Sequence, residues 1–329
     1  MPCSVRRSVR TLSAHMITSC PPPCDRRTFL KTLVGGAAGA SCWSAGFSAR
    51  AQTPLSSLAS LPLGDNLQLI QGAGGNVVAL RSADGILLID GGDAAHSHAL
   101  LEMITDRSRV QALINTHWHP EQTGSNERLG KAGARIIAHE NTKLWLGAEV
   151  NVEWQQKVYP PQPVAALPTE TLYTKATLQF GGDALEYGYL PQAHTDGDLY
   201  VFLPARNVLI VGDVMAGGRY PFPDWSTGGW IGGMVNATRT LLDMADASTR
   251  IVPGLGPVQT RADLQAQFDM LDTVRGRLVG MLKQGMSTDE MLAGQPTSEF
   301  DAKWGDPTRL IVNAYPGLWG HVRELGGIL

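Results

Sequence analysis

Apolar residues come in short blocks along most of this chain, and their lengths and spacing predict its elements. Leu67–Gln71 and Val77–Arg81 are runs of strand length. Ile86–Asp90 follows, joined to its predecessor by Asp84-Gly85, a hairpin signal. Ala95–Thr105 carries apolar residues three and four apart and predicts a helix. Val110–Ile114 is an apolar strand that delivers the chain into a polar segment starting at Asn115. A helix is expected over Asn126–Ala132, a strand over Arg135–Ala138 and a short helix over Thr142–Glu149. The second half repeats the style, with strand candidates Leu172–Phe180, Leu185–Leu190, Tyr200–Leu203 and Val208–Val211. Ile231–Met244 is amphipathic and helical, and Arg250–Val252 is a short strand. Beyond Thr260 the pattern is helical over Arg261–Lys283, Thr288–Ala293 and Pro307–His321. Strands with interspersed helices, met twice, fit an α/β fold of two packed mixed sheets covered by helices. Other mixed α/β folds share that pattern, so the choice among them falls to the motifs.

The first fifty residues differ from the rest. They hold seven of the 27 basic residues, a single acid (Asp25), and all four cysteines: Cys3, Cys20, Cys24 and Cys42. Asp25-Arg-Arg-Thr-Phe-Leu-Lys31 resembles a twin-arginine export signal, followed by a Gly/Ala-rich run and the small residues of Ala49-Arg50-Ala51. That run is short for a membrane anchor. The expected organisation is a signal peptide over 1–51, a Pro/Ser/Leu linker over 52–65, a catalytic-type domain over 66–260 and a helical extension over 261–329 packed on it. Cleavage after Ala51 would leave a periplasmic or secreted chain without cysteine, which excludes disulfides and thiolate ligands. It would also leave 20 basic against 29 acidic residues, a net charge of −9 with no basic run. Nucleic acid is therefore not an expected partner, and no membrane span is expected once the signal is removed; a small molecule is.

Three apolar runs each end in a polar cluster. His117-x-His119 follows Val110–Ile114, Ala193-His-Thr-Asp-Gly-Asp198 follows Leu185–Leu190, and Gly212-Asp213 follows Val208–Val211. Residues i and i+2 in extended backbone point the same way, so His117 and His119 can share one ion, with His194 as a third imidazole. Three protein ligands and an open position make a catalytic zinc arrangement. A second pair, His96-Ser-His98, opens a predicted helix, where i and i+2 diverge by about 200°. It reads as exposed and inert.

The order T-H-x-H, A-H-T-D-G-D, V-G-D and V-P-G-x-G-P resembles the metallo-β-lactamase superfamily, from about Gln68 to Pro257. The segments Y-P-F-P-D, I-V-P-G-L-G-P and P-T-S-E-F-D-A-K-W-G resemble a secreted bacterial branch of it. The resemblance implies an αββα sandwich with metal at one edge between the sheets. It implies His117, His119 and His194 as the first metal site and Asp213 as a bridging carboxylate. Asp90 matches a family aspartate beside the site, with two roles open, orienting a ligand or closing a strand turn. The second metal site departs from the family pattern. Glu121 and Gln122 stand where Asp and His would, and Leu255 stands where a late histidine would. Glu121 and Gln122 can form at most a weak second site. The expectation is one zinc per chain, with Glu121 or Asp213 as general base; iron is the alternative metal.

Other residues surround this core of motifs. Trp118, Trp145, Trp154, Trp225 and Trp230 are either substrate wall or packing; Trp118, Trp230 and Leu255 are the candidates for the pocket. Asp196 and Asp198 either bond the ligand imidazoles or cap a turn; Asp198 is the candidate support for the ligands. Pro160-Pro-Gln-Pro163 suggests a rim loop, and the glycine pairs flanking Trp230 suggest a mobile lid or loose turns. Three functions compete. The first is an exported zinc hydrolase that attacks an ester, lactone, amide or β-lactam carbonyl with a metal-bound hydroxide. The second is a non-catalytic binding protein whose degenerate site holds a structural metal, closed by Asp213, or none. The third is an iron-dependent oxygen or sulfur enzyme.

Overall fold

The computed structural model describes residues 57–105 and 109–326. Residues 1–51, the expected export signal, and the start of the expected linker lie outside the described residues. Pro54–Leu329 form one compact unit. Its first half gives β1 (Ala59–Gly64), β2 (Leu67–Ala73), β3 (Gly75–Ser82), β4 (Gly85–Ile89), β5 (Val110–Ile114) and β6 (Arg135–His139). A short hairpin of β7 (Val150–Val152) and β8 (Lys157–Tyr159) precedes β9 (Glu170–Leu172). The second half gives β10 (Lys175–Phe180), β11 (Asp183–Leu190), β12 (Asp198–Leu203), β13 (Val208–Ala216) and β14 (Arg250–Leu255). The helices are α1 (Ser97–Ile104), α2 (Pro120–Thr123), α3 (Asn126–Lys131), α4 (Glu140–Gly147), α5 (Ile231–Met244), α6 (Arg261–Lys283), α7 (Thr288–Ala293), α8 (Asp301–Trp304) and α9 (Thr308–Gly320).

Seven strands form one sheet in the order β1-β2-β3-β4-β5-β6-β9, and five form the other, β10-β11-β12-β13-β14. Both are mixed. The first changes from antiparallel to parallel at β4–β5, the second at β13–β14. Alternation within strands divides the core into layers. Leu87 and Ile89 face inward with Val208 and Ile210 of the second sheet, forming the layer between the sheets. Ile86 and Leu88 face outward onto Leu100 and Ile104 of α1 and Leu129 of α3. Leu209 and Val211 face α5 and α6, and the same cluster takes in α7, α8 and α9. The architecture is αββα, with the C-terminal helices as part of its outer layer. Among the described residues no helix is long and apolar enough to cross a membrane.

Most predicted elements appear within a residue or two of their expected ends, and three expectations change. The expected linker contains a strand, because β1 pairs antiparallel with β2. The expected strand Leu172–Phe180 is two: Leu172 ends the first sheet and Lys175 opens the second. A continuous run of strand formers hides a crossing between sheets, since propensity carries no information on which ladder a residue joins. The glycines around Trp230 are positions of close packing. A Cβ on Gly229 would sit 2.1 Å from His194 O, and one on Gly233 1.9 Å from Gln192 O. Helix α5 thus lies directly against the loop that carries His194.

That contact reverses the usual effect of alanine in a helix. Gly276 in α6 has open space at its Cβ position. Gly276→Ala is expected to stabilise by about 0.5–1 kcal/mol. Gly233→Ala should instead destabilise by about 1–3 kcal/mol through overpacking. Thermal unfolding of both variants checks the pair; a gain at Gly233 would mean that the His194 loop yields to the helix.

Candidate metal centre

Strand β5 is buried through Ala112, Leu113 and Ile114, and its end launches Asn115–His119 at the edge between the sheets. Asn115 anchors that segment: its N–H donates to Ile137 O, and its side chain bonds Gln122 O and Asn126. His194 sits between β11 and β12, and Asp213 projects from β13 just after Gly212, whose φ of 54° breaks the ladder register. The structure brings His117, His119, His194 and Asp213 together, their ligand atoms all within 4.8 Å of one another. Asp213 Oδ2 lies 4.0 Å from His117 Nε2 and 3.8 Å from His194 Nε2. One first-row ion with bonds of about 2.1 Å spans such separations.

Each imidazole is fixed through the nitrogen that points away from this centre. His194 Nδ1 lies 2.7 Å from the Phe222 carbonyl, which only accepts, so Nδ1 carries the proton and Nε2 a lone pair. His119 Nε2 lies 3.0 Å from Asp224 Oδ2, which leaves the lone pair on Nδ1. The Thr116 hydroxyl donates to Asp90 and receives His117 Nδ1 at 3.1 Å. His117 Nε2 is then buried, aimed inward and without a hydrogen-bond partner. The two lone pairs of His119 Nδ1 and His194 Nε2 stand 3.1 Å apart. Facing lone pairs at that distance require a cation between them. The donor set therefore fits a borderline metal that prefers nitrogen and oxygen.

Electrostatics agree with neutral ligands at two of the three positions. Burial pushes His117 well below the usual imidazole range, with His119 and His194 adding to the effect. Burial also lowers His194. For His119 burial acts downward as well, but the hydrogen bond and charge of Asp224 raise it overall. Asp224 is itself buried, which acts upward. Its bond to His119, the charges of His119 and His194 and a bond from Thr227 nevertheless hold it at about 2. A buried carboxylate that stays ionised is a strong orienting partner for a ligand histidine.

The possible weak second site at Glu121 and Gln122 lies beside Asp213 in the cavity wall. Gln122 Nε2 donates to Asp213 Oδ1 at 3.1 Å, so an amide N–H meets the carboxylate oxygen that is not turned towards the histidines. A Cβ on Gly254 would sit 1.8 Å from that same oxygen, so glycine there leaves room for the carboxylate. Glu121 is exposed and lines a cavity of about 260 Å³ together with His119, Gln122, Asp213 and Leu255.

Several expected site residues stand elsewhere. Asp90, at φ 61°, accepts from the N–H and hydroxyl of Thr116, and so reaches His117 through one intervening side chain. Burial raises its pKa well above the carboxylate range. Asp198 bonds Thr195 N–H and hydroxyl rather than an imidazole; it shapes the loop after His194, and burial lifts it to about 8. Asp196 accepts from Trp145 Nε1. Trp118 does not line the metal cavity: it is buried edge-on behind His119, with Nε1 donating to Thr227. Trp230 does not line it either, being stacked flat on His321 at 3.9 Å. Both rings are drawn inward because their apolar area outweighs what the open cavity offers. Pro160 and Gln162 line a neighbouring cavity with Trp118 and Trp145. His98 is exposed as expected, but His96 is buried and bonded to Asp93, because the helix begins one residue after it.

Sequence reasoning missed Asp224, Thr116, Phe222, Arg219 and Arg309. Asp224 had a signal, since Tyr220-Pro-Phe-Pro-Asp224 delivers a lone acid from a stiff, proline-braced loop. The two arginines had none, because only folding brings them to the metal cavity.

Comparison with known proteins gives one answer. The family model for the metallo-beta-lactamase superfamily matches residues 70–263. A metallo-beta-lactamase type 2 of Bacillus sp. (strain 170) is 24% identical over 199 residues, covering 60% of this chain and 72% of the relative. The type 2 enzyme of Bacillus cereus matches to the same extent. Among solved structures, a metallo-beta-lactamase from Pontibacter korlensis superposes with a TM-score of 0.54 at 19% identity, over 66% of this chain and 99% of its own. The DIM-1 metallo-beta-lactamase gives 0.54 at 18% identity, over 66% of this chain and 98% of its own. Fold, ordered motifs and the convergent histidines agree: this chain belongs to the metallo-beta-lactamase superfamily.

Proposed function

We propose that this protein is an exported, mono-zinc hydrolase of carbonyl substrates such as esters, lactones, amides or β-lactams. One observation carries the reading. Three imidazoles, each fixed from outside, aim lone pairs at one point beside Asp213, while Gln122 takes the Asp213 oxygen that a second metal would need. The twin-arginine pattern at Asp25–Lys31 supports passage to the periplasm or beyond.

The chemistry a bound zinc supplies is Lewis acidity, towards water and towards a carbonyl oxygen. The chain supplies the rest. His117, His119, His194 and Asp213 hold the ion. Asp213 has one oxygen towards the histidines and the other on Gln122, so it is poorly placed to take a further proton. Glu121 lines the cavity and accepts no hydrogen bond among the described residues, so we assign it as general base. Leu255 and Phe222 give the same cavity part of its apolar wall.

Elemental mass spectrometry of chain 52–329 should find one zinc, lost in His194→Ala. Two ions per chain would overturn the mono-zinc reading, and iron in place of zinc would favour the oxygen- or sulfur-enzyme alternative. Glu121→Gln should lower kcat about 10²–10³-fold on a cleaved ester or lactam, with zinc content unchanged. Zinc retained with no hydrolysis across that carbonyl panel would leave the non-catalytic binding protein. Asp224→Asn should weaken zinc affinity about 10–100-fold, because the His119 ring loses its charged partner. Competition with a chelator reads this directly, and unchanged affinity would remove Asp224 from the site.

A further inference from the structure

The β7–β8 hairpin belongs to neither main sheet, and yet its turn reaches the metal centre. Trp154 stands in that turn, half-buried in the cavity wall, and its Nε1 donates to Asp224 Oδ1 at 3.2 Å. Phe222 meets its ring edge-on at 5.1 Å, and the Arg309 guanidinium of α9 lies over its face at 5.0 Å. The indole is thus held by its neighbours while its one polar atom is aimed at a single acceptor.

A second indole approaches the same carboxylate from behind His119. Trp118 Nε1 donates to Thr227 Oγ1 at 3.0 Å, and Thr227 Oγ1 donates to Asp224 Oδ2 at 2.9 Å. The direction of this chain is fixed, because an indole N–H can only donate. The Thr227 oxygen therefore accepts, and its own proton goes to Asp224. Asp224 Oδ2 also faces His119 Nε2 at 3.0 Å, and Ser226 N–H adds a donor to Oδ1 at 3.2 Å. Each carboxylate oxygen then has two donors, which fills its lone-pair sites. Ser226 and Thr227 belong to the turn that Asp224 itself opens and would travel with it. The two indoles do not. Trp118 is the chain neighbour of His119 and packs edge-on against its ring at 4.7 Å, and against Tyr159 of β8 at 5.4 Å. Trp154 comes from the hairpin. They alone tie the Asp224 turn to the elements on the His119 side of the bond.

We propose that Trp154 and Trp118 are positioning residues of the metal centre, their indole N–H groups holding Asp224 in register with His119 so that the His119 lone pair stays on the ion. The hairpin and the metal are then coupled, and the coupling is reciprocal: what fixes the hairpin tightens the metal, and the metal fixes the hairpin. The inference rests on the metal reading of the centre and not on the hydrolysis proposed for it.

The test is zinc affinity by competition with a chelator, in protein without substrate. Trp154→Phe keeps the ring and removes the N–H, and it should weaken zinc binding about three- to tenfold. In an Asp224→Ala background the same change should add nothing, since its acceptor is gone. Trp118→Phe should act likewise, and should add nothing to Thr227→Val. Hydrogen exchange gives a second readout that needs no Asp224 variant. Zinc should slow exchange of the amides of residues 150–159 in the wild-type chain, and Trp154→Phe should remove that protection. Unchanged zinc affinity in Trp154→Phe overturns the proposal. So does a loss that persists undiminished in the Asp224→Ala background, which would make the indole a packing group only, and so does hairpin exchange that ignores zinc. A wild-type chain that takes up no zinc overturns the metal reading and this inference with it. A chain that binds zinc as described and cleaves no ester or lactam removes the hydrolase and leaves this inference standing.

Discussion

Everything at this site depends on keeping three inward-facing imidazole nitrogens as bare lone pairs in a buried space. Without a cation such an arrangement is costly, because a buried polar atom without a partner loses its hydration and gains nothing. His117 Nε2 is in that position. The chain accepts this arrangement by fixing each ring from its outer nitrogen. Phe222 O, Asp224 and Thr116 each choose a tautomer and hold a ring plane. Those three partners come from two places only, the loop 220–230 and the segment that contains the histidines themselves. A small number of loop residues thus governs the whole centre.

The loop 220–230 is in turn held by the outer helical layer. Its tight turn is closed by Asp224, which accepts from Ser226 and Thr227 and whose N–H donates to His194 O. Trp230 stacks on His321 just beyond α9, and Gly317 of α9 leaves space against the Trp230 side chain. The C-terminal helices therefore do more than cover a sheet. They brace the loop that orients His119 and His194, and they place Arg309 at the mouth of the cavity. This links a region remote in sequence to the electrostatics of the metal centre.

The side of Asp213 away from the histidines has a physical logic of its own. A half-buried carboxylate with one oxygen turned to the histidines leaves its other oxygen in need of a partner. Gln122 supplies a neutral N–H donor to Asp213 Oδ1, and Gly254 gives it room. Leu255 lines the adjoining wall. Glutamine at this position thus gives the Asp213 carboxylate a neutral partner and leaves the four converging ligand residues undisturbed.

The sequence by itself determined the elements, the layer pattern and the three segments that converge on the metal. Strand period, helix period and polar clusters at strand ends are local, and local physics fixes them. Val110–Ile114 and Ile231–Met244 have the bounds their pattern predicts, and His117, His119, His194 and Asp213 meet as their strand-end positions suggest. Tertiary structure alone decided the partners of each ring. It turned Trp118 and Trp230 away from the cavity, set Asp198 on a loop rather than on an imidazole, and split Leu172–Phe180 between two sheets. It also brought Asp224 and Arg309 to a site more than a hundred residues from His119. Periodicity tells a residue which face it occupies, but hydrogen-bond partners and cavity walls are set by which faces meet, and that is a property of the packed chain.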